Sequence, residues 1–200
     1  YNVDKLVMSY SLESKSFISQ VKSALYEYRY DIVHFNNGLH GKHLSVNRYK
    51  KYLIKILKFL KRRSAKIIVA DITEVLNGEH TQPCDEWSPI VEQRNNAIYD
   101  ICRRFNLPLS RLFEVSLRLK DNRSASDGFH FTPEGYEKLA EAVISNLEKI
   151  IVTPREDNIG FSTGDCEIVS SVERLKDIGF SLYEKAAVKA VRHGGGFRVE

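Results

Sequence analysis

The residues whose types and spacing most plainly suggest chemistry lie between positions 127 and 136, in the run Asp127-Gly128-Phe129-His130-Phe131-Thr132-Pro133-Glu134-Gly135-Tyr136. An Asp and a His stand three residues apart, just ahead of a helix start. A hydroxyl nucleophile needs a base to take its proton and a carboxylate to hold that base in the right tautomer. One Asp-x-x-His turn can supply both. A bare Asp-x-x-His is most often a helix-entry loop whose Asp caps and whose His packs. The longer string, with Thr-Pro-x-Gly-Tyr behind it, is far more specific.

A second run, His34-Phe35-Asn36-Asn37-Gly38-Leu39-His40-Gly41, takes a short apolar strand into a turn. Such a turn can present Asn and His donors to a developing oxyanion. It is also what a plain Asn-Gly turn with an exposed His looks like. At these two strings the sequence resembles the SGNH (GDSL-like) hydrolases, most closely a group whose third block reads Phe-Asn-Asn-Gly-Leu-His. The resemblance spans roughly residues 1–150 and includes the helix 45–63 and Arg94-Asn95-Asn96-Ala97-Ile98. It implies a flavodoxin-like three-layer α/β fold and cleavage of esters, often acyl groups on sugars or lipids, with no metal or organic cofactor.

Carried over position by position, the resemblance makes His130 the general base and Asp127 its orienting carboxylate. His40 falls where most members place an oxyanion Asn, with Asn37 as the nearby alternative donor. Two departures stand out. The Gly-Asp-Ser block that carries the nucleophile does not precede Asp31, and Val7-Met8-Ser9-Tyr10-Ser11 lacks the glycine of the second block. The serine is therefore expected upstream of Tyr1, and the chain as it stands is expected to be inactive by itself. Ser9, Ser11 and the Thr163-Gly164-Asp165-Cys166 turn are alternative nucleophile positions. A non-catalytic carbohydrate- or acyl-binding module on the same fold is the second reading. Trp87 can stack on a sugar ring or serve as a hydrophobic lid.

The elements that must position these residues follow from periodicity. Strands are expected at 1–6, 31–35, 66–70 and 107–114, and helices at 17–28, 45–63, 90–105 and 132–150. Ser45 is read as an N-cap, and Thr132 with Pro133 as a helix start. Strands alternating with helices predict a parallel sheet covered on both faces. Ligands of such sheets bind at the carboxyl ends of the strands, and the loops 36–43, 71–89 and 121–130 all follow strands. The loop 77–89 is long enough to suggest a role of its own.

After residue 150 the character changes. Residues 151–158 read as a linker and 159–200 as a small α/β extension, with strands at 159–163 and 180–183 and a helix at 167–177. The tail faintly resembles the start of a methylglyoxal-synthase-like domain through Val172 to Tyr183, and no binding residue is carried over from it.

Composition narrows the classes. The chain has 200 residues, 42% of them hydrophobic, and a net charge of +4, ordinary for a globular domain. Much of the positive excess lies between Arg48 and Lys66, interleaved with apolar residues. That pattern reads as the solvated face of an amphipathic helix, or as a nucleic-acid or anionic-surface patch. No zinc-finger or RNA-binding signature accompanies it, so no nucleic-acid partner is expected. Three cysteines, Cys84, Cys102 and Cys166, form no CxxC and suggest a reducing, cytoplasmic setting. His80, Cys84 and Asp85 match no standard zinc spacing, so no metal is expected. No apolar run approaches membrane-spanning length.

Overall fold

The computed structural model describes residues 2–124, 127–152 and 187–192. Five strands and five helices follow in the order β1 (Asn2–Val7), α1 (Lys15–Glu27), β2 (Tyr30–Phe35), α2 (Val46–Arg63), β3 (Ser64–Ala70), α3 (Ser88–Phe105), β4 (Leu109–Ser110), α4 (Leu112–Ser116), α5 (Pro133–Val152) and β5 (Ala187–Arg192). A single 3-10 turn, Lys120–Asn122, lies between α4 and α5.

The sheet order is β1-β5-β2-β3-β4. β2, β3 and β4 are mutually parallel, with Phe35 beside Val69 and Ala70 beside Ser110. β5 is antiparallel to both neighbours, so β1 points the same way as β2. The expected parallel arrangement thus holds for four strands, and the fifth makes the sheet mixed. The β1-α1-β2 crossover steps over one strand position. That step leaves backbone donors and acceptors on both flanking strands to be paired, and residues 187–192 pair them. The described piece of the tail is therefore a strand of the main sheet. Of the expected linker 151–158, residues 151–152 instead close α5; its remainder, the elements expected at 159–183 and Cys166 lie outside the described residues.

Side-chain alternation along the strands builds two cores. Val33, Phe35, Ile67 and Val69 face a large cluster made by α1, α2 and α3, including Phe17, Val21, Tyr49, Leu53, Leu57, Val91 and Ile98. Ile32 and Ile68 face the other way, against Val3, Leu147, Ile150 and Ile151. Ala70 joins Leu112, Leu119, Phe131, Tyr136 and Leu139 on the α5 side. Helix–sheet–helix layering results, as both faces of the parallel strands are apolar. Each fully buried aliphatic side chain contributes roughly 2 kcal/mol.

Local signals account for the helix boundaries. Ser45 caps α2, its hydroxyl accepting from Arg48 N, and Tyr49, Leu53, Ile56, Leu57 and Leu60 form the buried stripe. α3 carries Pro89 in its first turn and ends on Asn106 in the left-handed conformation, φ 49°. Thr132 Oγ1 accepts from Gly135 N at the start of α5. The strand expected over 107–114 is a correction: only Leu109–Ser110 is strand, and a short helix follows. Leu112 and Ser116 are buried one helical turn apart. The carboxylate of Asp71 accepts from Phe113 N at 2.8 Å and so caps the helix from another element, a partner invisible to local sequence reading.

Candidate active site

Asp127 and His130 face each other across the turn that precedes α5. His130 Nδ1 lies 2.6 Å from Asp127 Oδ2. The other carboxylate oxygen, Oδ1, accepts from the backbone N–H groups of Phe129 and His130, both at 2.8 Å. A nitrogen facing a carboxylate carries the proton, which leaves the Nε2 lone pair outward as a base. Burial by itself would raise the Asp127 pKa. The hydrogen bonds from His130 and Phe129 outweigh it and hold the carboxyl below its ordinary value. Both side chains stay partly exposed, at 41% for His130 and 31% for Asp127, so the pair is open to a substrate.

The turn is clamped from three sides. Leu76 N donates to Gly128 O at 3.1 Å. A Cβ on Gly128 would come 1.9 Å from Leu76 O, so this approach requires glycine. Arg123 Nη1 donates to the same Gly128 carbonyl at 3.3 Å. His80 Nε2 lies 2.8 Å from Asp127 O. His80 sits in the long loop after β3 in a left-handed conformation, φ 57°. Arg123 is 5% exposed and stacks 4.0 Å from the Phe131 ring centroid. Burial pulls its pKa down to about 10, against the nearby Glu74, Tyr136 and Asp127.

The loop after β2 is fixed differently. Arg94 on α3, 1% exposed, reaches under it. Its guanidinium donates to Gly38 O at 2.5 Å, to Gly41 O at 2.6 Å and more loosely to His40 O at 3.4 Å. Its neighbour Asn95 accepts from Ile72 N and donates to Ile72 O, pinning the first residues beyond β3. A Cβ on Gly38 would lie 2.3 Å from Ile72 Cγ1, so the two loops pack directly.

His40 is half-buried, and that burial lowers its pKa; a neutral imidazole keeps one N–H to donate. Asn37 is 3% exposed and spends its Nδ2 on Tyr10 O at 3.0 Å, while its Oδ1 has no hydrogen-bond partner. Ser9 and Ser11 follow β1, and a Cβ on Gly41 would come 2.5 Å from Ser11 Cβ. Trp87 meets Phe129 edge-on at 5.3 Å, with the Lys42 ammonium 4.9 Å from its ring centroid. Lys42 also pairs with Glu86. Lys42, Trp87 and Phe129 therefore link the loop after β2 to the Asp127–His130 turn; the loops after β2 and β3 leave the carboxyl ends of strands, whereas the turn, expected to follow a strand, comes after α4 and the 3-10 turn.

The remaining described histidines have other partners. His34, 5% exposed on β2, lies 3.2 Å from Ser110 Oγ, and His43 pairs with Glu13 at 2.8 Å. Asp71, fully buried at the end of β3, accepts from Tyr99 OH at 2.9 Å as well as from Phe113 N. Burial drives its pKa up to about 6 against those hydrogen bonds. Among the described residues no group of three His, Cys, Asp or Glu could hold a metal ion. No described helix is long and apolar enough to cross a membrane.

Sequence reasoning passed over Arg123 and Asp71, and weighed His80 only beside Cys84 and Asp85 for a metal. Their partners lie 47 residues away for His80 and 5 for Arg123, on the turn before α5, and 42 for Asp71, on α4. For Asp71 and Arg123 the available signal was a charged residue bordering an apolar segment. Arg94 and Asn95 were noticed only as part of a motif. Two polar residues inside the buried stripe of a helix were the clue to their backbone partners.

No family model and no curated protein matches the sequence. Solved structures do. A lipase/acylhydrolase from Enterococcus faecalis superposes with a TM-score of 0.54 at 13% identity, over 71% of this chain and 72% of that one. A GDSL-like lipase from Parabacteroides merdae gives 0.53 at 15% identity, over 66% and 68%. An acetylxylan esterase from Geobacillus stearothermophilus aligns more loosely, with a TM-score of 0.42 at 15% identity over 52% of this chain, which spans about half (47%) of that enzyme. A parallel β2-β3-β4 sheet layered between α1–α3 and α5 is thus the fold that this chain shares with the lipase/acylhydrolase and the GDSL-like lipase.

Proposed function

We propose that the protein is an ester hydrolase that works through an acyl-enzyme, with His130 as general base and Asp127 as its orienting carboxylate. The observation that carries this reading is the 2.6 Å contact between His130 Nδ1 and an Asp127 carboxylate gripped by two backbone N–H groups. That arrangement fixes the tautomer and stabilises the imidazolium that forms when Nε2 takes a proton. The lipase and the lipase/acylhydrolase that share the fold agree with it.

In this reading the nucleophile is a serine carried on a segment preceding Tyr1. Its Oγ attacks the ester carbonyl carbon while His130 Nε2 accepts the hydroxyl proton. The oxyanion that forms is met by the His40 imidazole N–H. Asn37 is the alternate donor, through the Nδ2 hydrogen that Tyr10 O does not take. The tetrahedral adduct collapses, the alkoxide leaves with the proton from His130, and water repeats the sequence on the acyl-serine with His130 again as base. One pre-organised oxyanion donor is typically worth ~3 kcal/mol of barrier. The substrate is a small-molecule or carbohydrate ester, with Trp87 offering an aromatic face beside the turn.

Fluorophosphonate labelling with peptide mapping, on this chain and on one extended upstream, tests the assignment. Label on an upstream serine in the extended protein alone is the expected result. His130→Ala should then abolish both labelling and turnover of p-nitrophenyl acetate. Activity within tenfold of wild type would refute the role of His130. Label on Ser9, Ser11 or Cys166 in the short chain would relocate the nucleophile. No label on either folded protein would favour a carbohydrate- or acyl-binding module on the same fold.

A further inference from the structure

The charge of the molecule is concentrated on one helix. The chain holds 30 basic and 26 acidic residues. α2 alone holds eight of the basic ones and none of the acidic ones, leaving 22 against 26 elsewhere. The net positive charge is therefore a property of α2, and the rest of the protein is net negative.

On that helix Lys51, Lys55, Lys58 and Arg62 stand at intervals of four, three and four residues, all exposed, with exposed Lys61 beside them. Such spacing puts them on one face, over roughly 16 Å of helix. Arg48 and Lys50 are paired, with Glu13 and Asp100. The five cations of the stripe have no ion pair with a described residue. Like charges one turn apart weaken a helix, and the buried stripe of α2 has to outweigh that repulsion.

Aromatic side chains flank the far end of the stripe. Tyr26 on α1 is 63% exposed, tilted against Phe59 at 6.4 Å and covered by the Arg63 guanidinium at 4.0 Å. We infer that the exposed face of α2, with Tyr26 at its end, is a docking surface for an anionic phospholipid bilayer. Three features favour a bilayer over a nucleic acid. The stripe is mostly lysine, whose compact ammonium acts as a point charge rather than a bidentate fork. An exposed aromatic ring, Tyr26, lies at its end, as at membrane interfaces. The cations occupy one straight flank, so a planar surface meets them all while the net-negative remainder stays in water. The inference is independent of the esterase reading, because neither His130 nor Asp127 contributes to it.

The test is cosedimentation of this chain with vesicles of phosphatidylcholine alone and of phosphatidylcholine with 30% phosphatidylserine, at 0.1 M and 0.5 M salt. Each Lys or Arg held near an anionic surface gains about fivefold in affinity. The variant Lys51→Gln/Lys55→Gln/Lys58→Gln/Arg62→Gln should therefore bind the mixed vesicles at least a hundredfold more weakly than wild type. Binding should also vanish at 0.5 M salt. A variant of equal charge, Arg104→Gln/Arg118→Gln/Lys120→Gln/Lys138→Gln, should bind far better than the α2 variant. Circular dichroism checks that both fold. Wild type failing to bind the mixed vesicles at 0.1 M salt, or equal losses in the two variants, would overturn the inference. Tighter binding to a duplex oligonucleotide than to vesicles at equal phosphate concentration would also overturn it, in favour of a nucleic acid.

Discussion

Arg94→Met isolates what a single buried side chain does for the loop that carries His40. The substitution keeps an unbranched apolar stem and deletes the guanidinium. Two short charge-assisted hydrogen bonds disappear, to Gly38 O at 2.5 Å and Gly41 O at 2.6 Å, with a weak third to His40 O. Hydrogen bonds from a charged group contribute about 1.5–3 kcal/mol each, so the gross loss is roughly 3–6 kcal/mol. Part of it is returned. Burial lowers the Arg94 pKa, against the opposing influence of Tyr49, which marks a real desolvation cost that the methionine does not bear. A net loss of about 3 kcal/mol is expected, or roughly 6–12 °C in Tm for a domain of this size. Urea unfolding at pH 7.5 measures it, with an unchanged m-value showing that both end states are the same. Amide exchange at Leu39 to Gly41 should rise while that of α2 stays protected. Arg94→Lys should recover less than half of the loss, because one ammonium cannot span carbonyls that two separate nitrogens now reach. A loss below about 1 kcal/mol, or exchange rising uniformly, would refute the idea that Arg94 anchors this loop.

Other outcomes follow from the same contacts. Gly128→Ala places a Cβ 1.9 Å from Leu76 O. It should cost about 2 kcal/mol or more by thermal unfolding and release the Leu76–Gly128 hydrogen bond; unchanged stability would mean that the turn is free to shift. For Asp71, the folded carboxyl titrates at about 6 rather than 3.8. Its contribution to stability is therefore fully present below the unfolded pKa and is lost as pH rises through about 6, amounting to about 3 kcal/mol across that window. Asp71→Asn should remove this slope, so that wild-type and variant urea midpoints converge at low pH, separate as pH rises from about 4 to about 6 and stay apart above it, with the variant gaining relative stability. Parallel curves from pH 4.5 to 7.5 would refute it.

Much of this protein was legible in the sequence because its signals are local. The alternation of apolar runs with helical stripes predicted β2, β3, α2, α3 and α5 to within a few residues, since burial on one face writes a period into the chain. The Asp127 to Tyr136 string placed an acid and a base three residues apart, close enough for one turn to bring the two side chains together. Tertiary structure decided what depended on distant partners. Residues 112–116 became a helix rather than a strand because Asp71, 42 residues earlier, caps Phe113 N. Residues 187–192 entered the main sheet because the β1-α1-β2 crossover left a strand position to fill. The site loops owe their shape to Arg94, Asn95, Arg123 and His80, whose hydrogen bonds end on backbone carbonyls and amides. A backbone group is chemically the same at every position, so no sequence pattern marks which one a buried side chain will reach. Chain geometry alone selects it.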